Sequence, residues 1–168
     1  MTSQQPHIER VDTDRALLAC CTLTRIDHAD AHLLRADQMP ARTPQAWARE
    51  ILESAPVATR LRLRTGWRSL SLRLHHGEPD TVAGWPITAD NDEYVRLHAD
   101  SWIGLTGELV TRVGDDGVTF ATFVRVANPV ARLVWAKVLP HHLAVVRSLV
   151  EGAGRRAGDV SGRPPSGG

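Results

Sequence analysis

The most restrictive feature of this sequence is a pair of alternating segments on either side of Gly114-Asp115-Asp116-Gly117. Alternation of apolar and polar residues around a short turn predicts a β-hairpin. With Asp115 and Asp116 at the tip, one face of the hairpin consists almost wholly of apolar cross-strand pairs: Val113–Val118, Thr111–Phe120, Leu109–Thr122, Gly107–Val124 and Leu105–Val126. Such a face has to be buried, so the chain must supply a second layer to cover it.

The opposite face of the hairpin is more polar. Glu108 and Arg125 become diagonal neighbours on it, close enough for an ion pair. A preceding run also alternates, with Val95, Leu97 and Ala99 on one side and a polar set on the other: Tyr94, Arg96, His98 and Asp100. These segments predict an antiparallel sheet that is apolar on one face.

Two segments carry clear signals for the start of a helix. Thr43 followed by Pro44, and Asn128 followed by Pro129, each place a capping side chain before a proline that suits the first helical turn. The second helix is the longest element, with apolar residues at helical spacing, and Pro140 predicts a kink or a short break within it. Residues 56–74 are ambiguous: the first half favours a helix, and the second half is left open.

Composition indicates where the folded domain begins and ends and to which broad class of protein the chain belongs. The chain has 168 residues, of which 42% are hydrophobic and 23% charged, which is typical of one folded domain. We expect residues 1–13 to be a flexible lead, residues 14–153 to form the domain, and the Gly/Pro/Ser/Arg-rich residues 154–168 to be disordered. The first residues do not resemble a secretory signal, so the expected location is the cytoplasm.

The charge and hydropathy of the sequence exclude two classes of partner. The net charge is +1, so no general field attracts the chain to nucleic acid. No uninterrupted apolar run approaches the ~20 residues of a membrane span. A homodimer is left open.

The order of elements is helices, then antiparallel strands, then one long helix, which predicts an α+β fold with the helix across a curved sheet. In this order the chain resembles the helix-grip superfamily, which includes lipid-transfer START domains and bacterial polyketide cyclases. More narrowly, it resembles an uncharacterised family of actinobacterial proteins related to that fold. The resemblance lies in four segments: Asp27–Ala31, Thr43–Pro56, Thr119–Asn128 and Arg132–Arg147.

The resemblance implies a curved antiparallel sheet wrapped around the C-terminal helix, with a cavity between them for a small apolar or aromatic metabolite. If the protein is an enzyme, the cyclase branch implies cyclisation, dehydration or isomerisation without a cofactor. The alternatives are a non-catalytic carrier or sensor of small molecules, and an interaction module whose core is filled by its own side chains.

Eight histidines raise the question of a metal site. Only His28 and His32, with Asp30 between them, have the spacing of a helical metal-binding pair, but this segment favours an extended strand. Adjacent histidines, as at His141-His142, point in different directions. The sequence therefore predicts no bound metal.

General acid–base catalysis is a more specific hypothesis. Histidine exchanges protons near neutral pH, and the pKa of a carboxyl group in an apolar cavity can rise into the same range. The candidate catalytic residues are His98, His141, Arg125 and Glu108, with Arg125 stabilising developing negative charge. For Glu108 and Arg125 a purely structural ion pair remains the alternative. The candidate ligand-binding residues are Trp102, Asp100, Trp135 and Tyr94, since aromatic walls hold flat ligands.

Other chemistry finds little support. The sequence contains no Gly-x-Ser-x-Gly elbow, no P-loop and no dinucleotide-binding pattern. Nothing around Cys20 and Cys21 favours a low-pKa thiolate.

Overall fold

In the part of the chain that the structure describes, seven strands form one open antiparallel sheet in the order β1-β2-β7-β6-β5-β4-β3. The computed structural model describes residues 6–35 and 39–161. The strands are β1 (His7–Val11), β2 (His28–Arg35), β3 (Thr81–Val82), β4 (Trp85–Asp90), β5 (Tyr94–Asp100), β6 (Leu105–Gly114) and β7 (Gly117–Val126).

The register of the β6–β7 hairpin is the predicted one. Val113 pairs with Val118 and Leu105 with Val126, and the pairs between them follow the predicted alignment. Strand β5 pairs with β6 on the other side, with His98 directly opposite Glu108. The turn chemistry and the alternation therefore predicted the centre of the sheet correctly.

Within the described residues, four helices accompany the sheet: α1 (Arg15–Leu18), α2 (Pro44–Leu52), α3 (Val57–Ser69) and α4 (Pro129–Ser161). Both predicted caps are present, because Thr43 Oγ1 accepts from the Ala46 amide at 3.1 Å and Asn128 Oδ1 accepts from the Ala131 amide at 2.9 Å. Helix α4 continues through Pro140 without the predicted break.

Helices α2 and α4 cover one side of the sheet, which we call the inner face. Trp47 and Ile51 of α2 and Leu149 of α4 are buried there with Phe120 and Leu97 of the strands. The opposite side, the outer face, is covered by α1 and the segment that follows it. The protein is thus an α+β fold with a long C-terminal helix packed against an open antiparallel sheet, as in helix-grip-like folds.

The two ends of the chain differ from the expectation. Residues 7–11 form β1 rather than part of a flexible lead, because their backbone completes a ladder with β2. Residues 154–161 continue α4 rather than starting a disordered tail: Ala157 is buried, and Arg156 donates to the Glu50 carboxylate at 2.5 Å. The predictions for residues 1–5 and 162–168 lie outside the described residues.

Helix α4 is also long and apolar enough, by length and composition, to cross a membrane over residues Pro129–Val160. A single helix of this kind is a weak indication, because the core helix of a soluble protein meets the same criterion. In this structure Leu149, Val150 and Ala153 of α4 are buried in the core below the sheet. The absence of a membrane span therefore stays a prediction.

The Arg156 contact can be tested by substitution. Arg156→Met keeps most of the aliphatic stem but removes the bonds to the carboxylate and the backbone carbonyl of Glu50. We expect the free energy of unfolding in urea to fall by about 1 kcal/mol, since the pair is partly exposed. Arg155→Met, at the exposed neighbouring position, is the control and should have almost no effect. Equal effects of both substitutions would contradict the assignment.

Candidate functional site

A buried carboxylate lies between β2 and α4. Because side chains alternate along a strand, His28, Asp30 and His32 of β2 all project from the inner face. The Asp30 side chain is wholly buried, and its Oδ2 atom accepts a hydrogen bond from His28 Nε2 at 2.7 Å and one from His142 Nε2 of α4 at 3.0 Å. We call His28, Asp30, His32 and His142 the Asp30 cluster.

Trp135 flanks two members of the cluster. Its ring centroid is 5.3 Å from that of His28 and 5.2 Å from that of His142. Trp135 precedes His142 by about two helical turns, so both side chains project from the same side of α4. The indole therefore limits the directions in which either imidazole can turn.

Several polar atoms near the cluster lack a partner among the described residues. Asp30 Oδ1 and His32 Nδ1 are buried without a hydrogen bond and lie 3.8 Å apart. Thr122 Oγ1, on the strand position paired with Asp30, is also buried and unpaired within this part of the chain. Each unsatisfied buried polar atom costs about 1–3 kcal/mol, so several of them in one region need an explanation.

The charge of the cluster follows from these contacts. Burial alone would raise the pKa of Asp30, but the hydrogen bonds from His142 and His28 outweigh it and hold that pKa well below its ordinary value. Burial lowers the pKa of His32 in spite of the nearby Asp30 carboxylate. The cluster therefore contains an ionised Asp30 carboxylate beside a neutral His32 imidazole.

A narrow cleft between α3 and α4 reaches the cluster. Its walls are mainly apolar side chains of the two helices, and its free volume is about 30 Å³. The lining side chains include Leu63, Trp67, Val138, Val145, His141 and His142. His142 thus belongs both to the cleft and to the Asp30 cluster.

The outer face holds a second buried carboxylate, Glu108. Its oxygens accept from the amide of Thr22 at 2.8 Å, from the Thr22 hydroxyl and from His98 Nδ1 at 3.2 Å. Burial would raise the pKa of Glu108, but the bonds from His98 and Thr22 lower it to about 2. The hydrogen bond to Glu108 in turn raises the pKa of His98.

The predicted ion pair of Glu108 with Arg125 is replaced by these contacts. His98 lies directly opposite Glu108 in the ladder, and Thr22 covers the carboxylate from above, so its oxygens are already bonded. Arg125 Nη2 instead lies 3.5 Å from Thr106 Oγ1. Asp100 accepts from the same hydroxyl at 2.9 Å.

The candidate site residues predicted from the sequence lie on different faces of the sheet. His98, Glu108, Asp100, Arg125 and Tyr94 project from the outer face, because their positions in the register place them opposite the buried inner set.

The remaining selected residues lie elsewhere. Trp135 is buried on the inner side, and His141 lines the cleft but is largely exposed. Trp102 is 77% exposed beneath the Arg73 guanidinium, so it is not a cavity wall. His98 and His141, both named as candidate catalytic residues, therefore do not lie in one site.

Asp30 and His142 were not selected from the sequence as functional residues. The available signal was the inward alternation His28, Asp30, His32 within a strand whose inner face should be apolar. That pattern indicates a row of polar side chains on the inner face of β2, but it does not indicate which residue of α4 contacts them.

The geometry of particular atoms bears on two kinds of chemistry: it favours metal binding and argues against nucleophilic catalysis by a thiol. One donor atom from each of His28, Asp30 and His142 lies within 4.8 Å of the other two, which is close enough for a shared metal ion. The thiols are poor nucleophiles, because burial and the nearby Glu108 raise the pKa of Cys21 to about 12, and burial also raises that of Cys20.

Comparison with known proteins yields no match among protein-family models, curated proteins or solved structures.

The His98–Glu108 pair predicts a specific pH dependence. The folded state raises the pKa of His98 above its ordinary value of 6.5, so folding favours the protonated ring. This contribution to stability is complete below that ordinary value and is lost as the pH rises through the raised pKa. The urea-unfolding free energy should therefore fall as the pH rises above 6.5 and through the raised pKa of His98, and fall less in His98→Gln, which keeps a donor but does not titrate.

His75→Gln, at an exposed histidine outside the outer-face pair, is the matched control and should retain the wild-type pH dependence. An unchanged dependence in His98→Gln would contradict the assignment.

Proposed function

We propose that the protein binds a small, mainly apolar molecule with a polar end, held between α3 and α4 above the inner face of the sheet. One observation carries this proposal: His142 lines the apolar cleft and also bonds to the buried Asp30. A molecule in the cleft would meet apolar walls first and polar groups at its inner end, which is the usual composition of a ligand pocket.

Aromatic side chains support the same ligand class. Trp67 lines the cleft and meets Trp85 edge-to-face, with ring centroids 5.7 Å apart. A flat or aromatic ligand would match the Trp67 ring that this pair holds against the cleft.

The cleft must open before it can admit such a molecule. Its free volume of about 30 Å³ is close to that of one water molecule. Among the thirteen described residues of α3, Leu63 alone is buried, and Val57 and Leu61 are 62% and 56% exposed. Helix α3 is therefore held by few buried side chains and is the element most able to move away from α4.

The geometry favours a carrier or sensor over the predicted cofactor-independent cyclase, dehydratase or isomerase. The acid–base residues selected from the sequence lie mostly on the outer face, away from the cleft. Catalysis remains the alternative, and an interaction module with a filled core is the outcome if no ligand binds. A cytoplasmic location, the lack of nucleic-acid partners and the oligomeric state stay as predictions.

The first experiment is native mass spectrometry of the purified full chain, followed by denaturation and identification of any released small molecule. We expect a co-purifying apolar or aromatic compound. An added flat probe, 8-anilinonaphthalene-1-sulfonate, should bind with one-to-one stoichiometry. Failure to detect either form of binding would contradict the proposal and favour the filled-core module.

Gly66→Leu tests the location of the ligand. A Cβ atom at Gly66 would meet nothing within 4 Å, and Gly66 lines the cleft, so a leucine side chain can start there without a backbone clash and should block the cleft. We expect at least about 10-fold weaker probe binding, with stability kept or raised because glycine is a poor helix former.

Gly158→Leu is the matched control. Gly158 is an exposed helical glycine of α4, and its Cβ position is equally open. The control should bind the probe as the wild type does. Equal binding by Gly66→Leu and wild type would place the ligand elsewhere.

A further inference from the structure

We propose that His28, Asp30 and His142 together form a binding site for a divalent transition-metal ion of the zinc type. The two imidazole Nε2 atoms lie 2.7 Å and 3.0 Å from Asp30 Oδ2, and one donor atom from each residue lies within 4.8 Å of the others. The three residues come from two elements that pack together, β2 and α4.

The donor set selects the class of ion. Two imidazole nitrogens and one carboxylate oxygen suit zinc and its neighbours among the divalent metals, whereas calcium and magnesium prefer oxygen ligands alone. Zinc holds its ligand atoms about 2.0–2.2 Å away, which separates neighbouring ligand atoms by roughly 3.5 Å. Small side-chain rotations would therefore bring the three groups into coordination.

A second, independent observation points to a cation. The Asp30 carboxylate is wholly buried, yet within the described part of the chain its Oδ1 atom accepts no hydrogen bond. Both hydrogen bonds from the imidazoles fall on Oδ2, so within the described residues the buried negative charge has no balancing hydrogen bond at Oδ1. A divalent ion on the carboxylate would supply that balance and would engage the unused oxygen.

The surroundings resemble those of built metal sites. Trp135 lies against His28 and His142, which restricts both rings. His32 Nδ1, 3.8 Å from Asp30 Oδ1, is a further polar group able to support the carboxylate or to join the ion. The cleft lined by His142 gives an ion a route to the site.

This inference does not rest on the proposed ligand, because the ion would be held whether or not the cleft opens. The cluster as a hydrogen-bonded structural feature without any metal is the competing explanation, and the two differ in a direct measurement of metal content.

The test uses the full chain without a polyhistidine tag. The protein is treated with EDTA, dialysed, and titrated with Zn²⁺ by isothermal calorimetry and with Co²⁺ by visible absorption. We expect one ion per chain, the intense d–d bands of four- or five-coordinate cobalt, and a melting temperature that rises on addition of Zn²⁺. No stoichiometric binding, or no rise in melting temperature, would overturn the proposal.

His142→Gln locates the site, with His141→Gln as the matched control at the adjacent, more exposed position. Loss of a direct ligand should weaken Zn²⁺ binding by more than about 10-fold, since mutation of residues that only support the ligands already lowers metal affinity by about that factor. The control should bind as the wild type does. Binding that survives His142→Gln, and is lost instead on substitution of the exposed His75 and His76, would mean an adventitious surface site and overturn the proposal.

Two further checks keep the result decisive. If His142→Gln does not fold, X-ray absorption of the zinc-loaded wild type replaces it: two imidazoles in the shell support the site, and fewer contradict it. Gly66→Leu should lose the small-molecule probe and keep Zn²⁺, so failure of the ligand proposal and failure of the metal proposal are distinguishable. Loss of Zn²⁺ in well-folded Gly66→Leu would contradict the independence of the two sites.

Discussion

The structure depends on how it accommodates a wholly buried carboxylate on the inner face of its sheet. Asp30 has to be ionised or neutralised in a region from which water is excluded, and either state is costly without hydrogen-bond partners. His28 on the same strand and His142 on α4 provide those partners. The contact also fixes where the long helix crosses β2, so the polar cluster and the packing of α4 belong to one arrangement.

A comparison of the two buried carboxylates explains why the inner one is the functional candidate. On the outer face, both oxygens of Glu108 are engaged, by Thr22 and His98. A carboxylate satisfied in this way acts as a structural anchor for the segment above it. Asp30 has both of its hydrogen bonds on one oxygen, and Oδ1 accepts no hydrogen bond from the described residues. A buried group with unused capacity next to an apolar cleft is better suited to receive a ligand or an ion.

The sequence predicted what depends on local chemistry. Turn residues and alternation determined the β6–β7 register, and the Thr43 and Asn128 caps located the starts of two helices. It did not reveal the meeting of Asp30 with His142, because these residues are 112 positions apart and nothing local specifies which turn of α4 lies over β2. The strand at residues 7–11 was missed for a related reason, since an edge strand needs a backbone ladder more than a side-chain pattern.

A crystal structure of the untagged protein, as purified and without chelator, tests the central claim most directly. The account predicts non-protein density within coordination or hydrogen-bond distance of Asp30 Oδ1, between the side chains of His28 and His142. Density for a metal ion there would be identified by anomalous scattering at the zinc edge. A structure in which a protein donor, such as a reoriented His32 ring, satisfies Oδ1 and leaves no room for another group would contradict the claim and reduce the cluster to a structural anchor.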